Sequence, residues 1–358
     1  MKSAKDPAGI EAGVSVVMSC YNSAKRLPET LSHLARQNLL ESTAWELIVV
    51  VDKDSPDDTA AVAARIWLEA GAPCPLRLME EARPGKSSAL ETGYTAALYE
   101  TVVTVDDDNW LDPQYLNIAF EMISEHPEIG IIGGRMTAVP EVTPPKWFPQ
   151  VQHFYAVGAQ GNASGNITNE KAYVAGAGMV LRKSAYEELR RLNFSFVLTG
   201  GQRGKLTVGE DTELCLALAL CGHQIWYDDR LNLCHFIPQG RLTANYVLKL
   251  NRSIMRGGIT ATVYWAQLFH PEEASMSIYW MQWRRKLWWS IKDVVKALCA
   301  RSSWLCARLS FEAFMHHCIS PMSYWRAKRE LASRVLTLAK AGKLKQQEMA
   351  VARAKDRD

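Results

Sequence analysis

Several things are missing from these 358 residues, and each absence excludes something. None of the eight cysteines (20, 74, 215, 221, 234, 299, 306 and 318) stands in a CxxC pair, so neither a zinc ribbon nor a disulfide framework is indicated. Scattered thiols in a chain of this length read as reduced and mostly buried. No run approaches the roughly 18 apolar residues that a spanning helix needs. The first residues, MKSAKDPAGIEAG, lack an apolar signal core, and the expected compartment is cytoplasmic. Internal repeats and low-complexity stretches are absent, which excludes solenoids and collagen-like chains. The net charge of +3 is too small to suggest a nucleic-acid binder by itself.

What is present is ordinary globular composition, 48% hydrophobic and 22% charged, enough for about two domains or one large α/β domain with an appendage. Its charge is uneven. From Arg284 onward there are 17 Lys and Arg against 6 Asp and Glu, a net +11 that leaves −8 for everything before it.

The first half alternates strand and helix signals. VSVVMS (14–19), WELIVVVD (45–52), LRLMEE (76–81), TVVTVD (101–106) and IGIIGGRMTAV (129–139) read as strands, several of them apolar enough to be covered on both faces. Helical spacing fills the intervals at 24–37, 59–70 and 84–98. This β-α-β alternation predicts a mostly parallel, doubly wound sheet whose ligand crevice lies beyond the carboxyl ends of its strands. Asp52 and Asp106 both fall at such ends. After Pro-rich and Gly-rich loops (140–170), AYVAGAGMVLR (172–182) reads as a strand, EDTELCLALALCG (210–222) as a helix, and 224–229 and 232–238 as two short strands. From about 241 the pattern is helical.

Three acidic motifs carry possible chemistry. In VVTVDDDNWLDP (102–113), an extended backbone sends Asp106 and Asp108 to one face and Asp107 to the other. Two carboxylates converging there suit Mg²⁺ or Mn²⁺; a solvated acidic turn capping the next helix fits equally. In GEDTELCLAL (209–218), Glu210 or Asp211 is either a helix cap or a general base. In VVVDKDSPDDT (49–59), Asp52 accepts hydrogen bonds from a ligand, or the neighbouring acids merely cap a helix. An apolar strand followed by DxDx also has the look of a phosphatase-like hydrolase with Asp52 as nucleophile, although Ser55-Pro56 departs from that pattern.

The segments VSVVMSCYNSAKRLPETLSHL, WELIVVVDKDSPDDT, RPGKSSALETG, VVTVDDDNWLDPQYL, VAGAGMVLRKSAYEEL and GEDTELCLALALCG stand in the order of a family 2 glycosyltransferase of the GT-A fold, and over residues 13–240 the chain resembles that family in its bacterial cell-surface polysaccharide type. The resemblance implies a GT-A sheet with flanking helices over 13–240, after a short tail at 1–12. It implies inverting transfer from a nucleotide-diphosphate sugar, a UDP-sugar first, to a glycan or lipid-linked glycan. Asp211 corresponds to the general base, supported by Glu210. Cys20, Tyr21, Asn22, Asp52, Lys86, Asp106, Asp107, Gly178 and Arg241 correspond to donor contacts. Asp106, Asp108 and His235 correspond to a site for Mn²⁺ or Mg²⁺, His235 being equally readable as a packed core residue. The chain departs from common family patterns at Ser19-Cys20, at Lys53-Asp54-Ser55 and at Glu91-Thr92-Gly93. Gln239 and Arg241 lie where processive members carry a QxxRW segment, but the Trp is missing. The sugar nucleotidyltransferases would need a Gly-rich basic loop after the first strand, which MSCYNSAKR is not. A non-catalytic nucleotide-sugar binder or assembly subunit is the remaining alternative.

The C-terminal part, 241–340, is helical, basic and aromatic-rich. Over 280–298 one stripe carries Trp280, Trp283, Leu287, Ile291, Val294 and Leu298, with Arg285, Lys292 and Lys296 well round from it. The cluster Trp304, Leu305, Phe311, Phe314 and Met315 continues it. An aromatic face with a basic flank predicts a peripheral contact of 280–315 with the cytoplasmic face of a membrane, or packing on the catalytic domain or across a homodimer. No nucleic-acid motif accompanies it. His316-His317 reads as structural. Residues 341–358 are expected to fray.

Overall fold

The computed structural model describes residues 10–201, 206–271, 276–299 and 304–355. Strands β1 (Glu11–Cys20), β2 (Trp45–Asp52), β3 (Leu76–Glu81) and β4 (Tyr99–Val105) alternate with helices α1 (Leu27–Ala35), α2 (Thr59–Glu69) and α3 (Lys86–Ala96). β5 (Asn109–Leu111), α4 (Tyr115–Glu125), β6 (Ile129–Pro140), α5 (Phe148–Val151), β7 (Gly165–Asn166), β8 (Val180–Arg182), α6 (Lys183–Arg191), α7 (Glu210–Leu220) and β9 (Gln224–Ile237) follow. Three helices complete the chain: α8 (Ala244–Phe269), α9 (Met276–Cys299) and α10 (Trp304–Lys355).

Among the described residues the strands form one sheet in the order β3-β2-β1-β4-β8-β6-β9-β5, with β7 attached to β9. β1 pairs in parallel with β2 and β4, and β2 with β3. β8 runs antiparallel to both β4 and β6, whereas β9 is parallel to β6. The expected α/β sheet with flanking helices and a helical C-terminal region is therefore present, as a mixed sheet in which the short strands β5, β7 and β8 run against the other six. Its inner strands are apolar on both faces because helices cover both. One face packs Val14, Val16, Leu47 and Val49 against α1, α2 and α4, the other Val17, Ile48 and Val50 against α3.

Three local expectations differ from the structure. The strand read over 172–182 is only three residues long, because Ala172 (φ 56°) and Gly178 (φ 70°) leave the extended region. The two strands read after α7 are one, β9, whose pairing with β6 shifts register between Gly133 and Arg135. A side chain at Gly134 would collide with the Leu231 carbonyl oxygen, so the shift depends on glycine. Residues 341–355, expected to fray, continue α10. There Gly342 lies flat against the backbone of Leu220 and Cys221, and Lys345 Nζ reaches Glu188 Oε2 at 3.0 Å.

The C-terminal helices begin where the sheet ends, but they share its core. Val263 and Tyr264 of α8 and Tyr324, Leu331, Val335 and Leu338 of α10 belong to the cluster formed by Leu214–Leu220 of α7. Pro321 lies inside α10. Lacking an N–H, it leaves the His317 carbonyl without its helical donor, and Trp283 Nε1 of α9 donates to that carbonyl instead. Trp280, Lys296, Leu298 and residues 1–9 of the expected N-terminal tail lie outside the described residues or side chains, and β1 already begins at Glu11.

Candidate active site at the carboxyl edge of the sheet

Because β2, β1 and β4 are parallel neighbours, their carboxyl ends line one edge. Asp52 and Asp106 are thereby two strand spacings apart, roughly 10 Å. Asp52 is buried, and its Oδ1 accepts the Asp54 backbone N–H at 2.9 Å, an Asx turn that shapes the edge. The loop after β1 is braced on the loop after β2. Asn22, in the left-handed region, donates its N–H to Ser55 Oγ at 2.9 Å, and Asp57 Oδ2 accepts from the Ala24 N–H at 2.9 Å. Tyr21 is left exposed at 39%, whereas Cys20 is 3% exposed and packs into the core. Burial also pushes the Cys20 thiol well up; of the three donor contacts expected in this loop, only Tyr21 and Asn22 face solvent.

The acidic triplet is a turn, not an extended segment, and this corrects its expected geometry. β4 ends at Val105. The Asp106 N–H donates to Asn109 Oδ1 at 3.0 Å and the Asn109 N–H to the Asp106 carbonyl at 3.1 Å. The three carboxylates consequently take three different partners. Asp106 Oδ1 lies 2.6 Å from Lys86 Nζ. Asp107 Oδ2 lies 2.5 Å from Arg26 Nη2. Asp108 Oδ2 accepts from Arg241 Nη1 at 2.8 Å. Pairing of β5 with β9 sets Asn109 opposite His235, which brings His235 Nε2 to 3.6 Å from Asp108 Oδ1. Burial works to raise the Asp108 pKa, but His235, Arg241 and Arg26 outweigh it and hold the carboxyl well below the usual range.

Lys86 opens α3 and joins the triplet to α7. Besides Asp106, its Nζ is 3.8 Å from Glu210 Oε1. Burial works against the ammonium charge, and Asp106 and Glu210 more than restore it. Burial and the neighbouring Asp211 charge raise Glu210 to about 7, against the pull of Lys86. Asp211 is fixed at both oxygens by backbone donors. Oδ2 accepts the Gly176 N–H at 2.8 Å and Oδ1 the Thr212 N–H at 2.7 Å. The first turn of α7 also places Glu210, Asp211 and Glu213 at the positive end of the helix. Lys86, Thr104, Gly176, Glu210 and Asp211 line one cavity.

Gly178, expected at the donor, has a different role. At φ 70° it packs against Leu233 and Tyr115, and Tyr115 Oη donates to its carbonyl at 2.6 Å. Gly176 is the glycine that touches Asp211. Arg26 and Glu213 carry no motif and sequence reasoning passed over both. Glu213 is fully buried. Its Oε2 accepts the N–H groups of Val197 and Leu198, each at 2.9 Å, and its Oε1 the Tyr264 hydroxyl at 3.0 Å. The loop leading to α7 is thus tied to both α7 and α8. Residues 202–205 of that loop lie outside the described residues.

Among the described residues no three His, Cys, Asp or Glu side chains are grouped to hold a metal. The donor set nevertheless fits an open two-ligand site at Asp108 and His235. His235 Nδ1 is 2.9 Å from the Tyr155 carbonyl oxygen, so Nδ1 carries a proton, and Nε2 is the nitrogen that faces Asp108 and would serve as the metal donor once deprotonated. Asp106, taken up by Lys86, stands apart from that pair.

Residues 15–190 match the family described as Glycosyl transferase family 2. An uncharacterized glycosyltransferase of Mycobacterium tuberculosis is 36% identical over 99 residues, which is 28% of this chain and 38% of that protein. A poly-β-1,6-N-acetyl-D-glucosamine synthase of Staphylococcus epidermidis is 28% identical over 123 residues, 34% of this chain and 28% of that protein. These alignments span well under half the length of the curated relatives. The structure of S. aureus TarS 1–349 in complex with UDP-GlcNAc superposes with a TM-score of 0.51 at 14% identity, covering 94% of this chain and 92% of that one. The likeness to TarS is one of fold.

Proposed function

The chain belongs to the family 2 glycosyltransferases, and from that premise we propose that it moves a sugar, with inversion, from a UDP-sugar to a hydroxyl of a glycan or lipid-linked glycan. The observation that carries this reading is the continuous line of charge from Asp106 through Lys86 to Glu210, with Asp211 clamped beside it by the Gly176 N–H. It ties the Asp106 turn, through Lys86, to a carboxylate that the backbone holds in place.

In this reading Tyr21, Asn22 and Asp52 hold the nucleoside end at the carboxyl edge of β1 and β2. Arg241 moves from Asp108 to the diphosphate oxygens, a planar donor suited to them. Asp108 and His235 would hold Mn²⁺ or Mg²⁺, which would supply charge neutralisation for a departing diphosphate. Asp211 accepts the proton of the acceptor hydroxyl. The acceptor oxygen then bonds to the anomeric carbon as the bond from that carbon to the diphosphate breaks, releasing UDP. Glu210 and Lys86 fix the field around Asp211. Asp52 is engaged in its Asx turn, which favours a binding role over that of a hydrolase nucleophile.

UDP-GlcNAc is the first donor to test, because a curated relative makes poly-N-acetylglucosamine and a structure of the same fold is a UDP-GlcNAc complex. The basic, aromatic-rich C-terminal helices support a position at a membrane surface, where a lipid-linked acceptor would be met. A thermal-shift screen of UDP-, GDP- and dTDP-sugars with and without Mn²⁺ tests the proposal, since a bound ligand raises the melting temperature by mass action. A Mn²⁺-dependent shift with a UDP-sugar supports it. No shift with any nucleotide sugar contradicts it.

A further inference from the structure

α10 carries an apolar stripe on its outside. Trp304, Phe311, Met315, Cys318, Met322 and Trp325 are all exposed, Trp304 at 64% and Met322 at 73%. After one interval of seven, their spacing alternates between four and three residues. At 100° per residue they fall within an arc of roughly 100°, over a length of about 30 Å. Leu305, Tyr324, Leu331 and Val335, the residues that pack α10 onto the rest of the protein, point away from this arc and are buried. The stripe is therefore an outer face, not a core seam.

Two cations stand in the same arc and lie on its tryptophans. The Arg308 guanidinium is 5.8 Å from the Trp304 ring centroid, and that of Arg329 is 5.4 Å from Trp325. α9 repeats the arrangement. Trp288 (57% exposed) and Val295 (53%) are on its surface, and Lys292 Nζ lies 5.3 Å from the Trp288 centroid. These exposed tryptophan rings, each topped by a cation, present an apolar body with a charged tip, the chemistry of a headgroup boundary. Among the described residues no helix is long and apolar enough to cross a membrane, so the face would lie along the bilayer surface.

We infer that the outer faces of α9 and α10 dock on an anionic phospholipid bilayer, with Trp304, Phe311, Met322 and Trp325 at the acyl boundary and Arg308, Arg329 and Lys292 on lipid phosphates. Charge complementarity selects this occupant. Residues 284–358 carry 17 Lys and Arg against 6 Asp and Glu. A second copy of the chain would bring the same excess of positive charge against it, whereas anionic lipid neutralises it. The inference deepens the proposed placement at a membrane by naming the surface and the lipid class. It is tested without donor or acceptor, so its failure leaves the transfer chemistry standing.

The experiment is vesicle co-sedimentation of the full chain, comparing phosphatidylcholine vesicles with vesicles that also contain phosphatidylglycerol. Binding to the anionic vesicles is expected, with weak binding to the neutral ones, and added salt should weaken it. Replacing Arg308 and Arg329 together by Gln should weaken binding roughly tenfold or more. Replacing Trp304 and Trp325 together by Ser should also release the protein, while its melting temperature and UDP binding stay at wild-type values because both positions are exposed. Equal binding to the two vesicle types overturns the assignment. So does a sedimentation-equilibrium dimer that the Trp304→Ser, Trp325→Ser variant dissociates without any change in vesicle binding.

Discussion

The backbone N–H of Gly176 points at Asp211, meeting Oδ2 at 2.8 Å. The partner is a main-chain group held by the fold, so it fixes the carboxylate without a side chain that could rotate away. A Cβ at 176 would lie 3.3 Å from the Asp211 Cβ, close enough to push it.

Gly176→Ala should accordingly lower kcat while leaving UDP affinity near wild type. A displaced base costs up to roughly 10²-fold when the reacting geometry shifts by about an ångström. Steady-state kinetics with separately measured UDP binding checks this. An unchanged kcat would show that the Gly176 contact does not position Asp211.

Asp108 is 3% exposed and depends on Arg241 for its closest cation. Arg241→Met should cost about 1–3 kcal/mol of stability, a buried-pair penalty discounted because the arginine is itself partly exposed. It should also weaken UDP binding. Denaturant titration and calorimetry read the two effects. Loss of stability with unchanged UDP affinity would confine Arg241 to a structural role.

Gly178 separates structure from chemistry. Gly178→Ala should destabilise by about 2–4 kcal/mol, from a strained φ and overpacking on Leu233. Tyr115→Phe, which removes only the hydrogen bond to the Gly178 carbonyl, should cost about 1 kcal/mol and leave transfer unaffected. Urea denaturation beside an activity assay distinguishes these outcomes.

The end of α10 is pinned by Glu188, whose Oε2 lies 2.9 Å from His223 Nε2 and 3.0 Å from Lys345 Nζ. Burial works to raise the Glu188 pKa, and these two partners reverse it to about 2. A carboxyl depressed in the folded state stabilises above its unfolded value, near 4.3. That contribution fades as pH falls from about 5 to 2. Glu188→Gln should therefore flatten the acid limb of the stability curve. Melting temperatures across that range test it, and parallel curves for wild type and variant would contradict it.

The edge of the sheet was legible in the sequence because buried parallel strands announce themselves as apolar runs, and the acids ending β2 and β4 could only sit at their carboxyl ends. The α7 motif was legible for the same reason, being an acidic pair on a helix start. The geometry of Asp106, Asp107 and Asp108 was not. Alternation describes a strand, and Asn109 closes a turn there. Gly178 and Gly176 look alike in sequence. Only the packing of Tyr115 and Leu233 against one, and of Asp211 against the other, tells them apart. Arg26 and Glu213 carry no motif and acquire partners 81 and 15–51 positions away, separations that local patterning does not register. The docking of α10 on α7 was hidden as well, since its buried and exposed stripes are both apolar.

The account stands most directly on Asp211 as the proton acceptor. The measurement is the rate of UDP release from UDP-GlcNAc with Mn²⁺ and a lipid-linked saccharide acceptor, for the wild type and for Asp211→Asn. The variant should bind UDP as tightly as the wild type and turn over about 10²–10⁴-fold more slowly. An Asp211→Asn protein that releases UDP at the wild-type rate would contradict the mechanism.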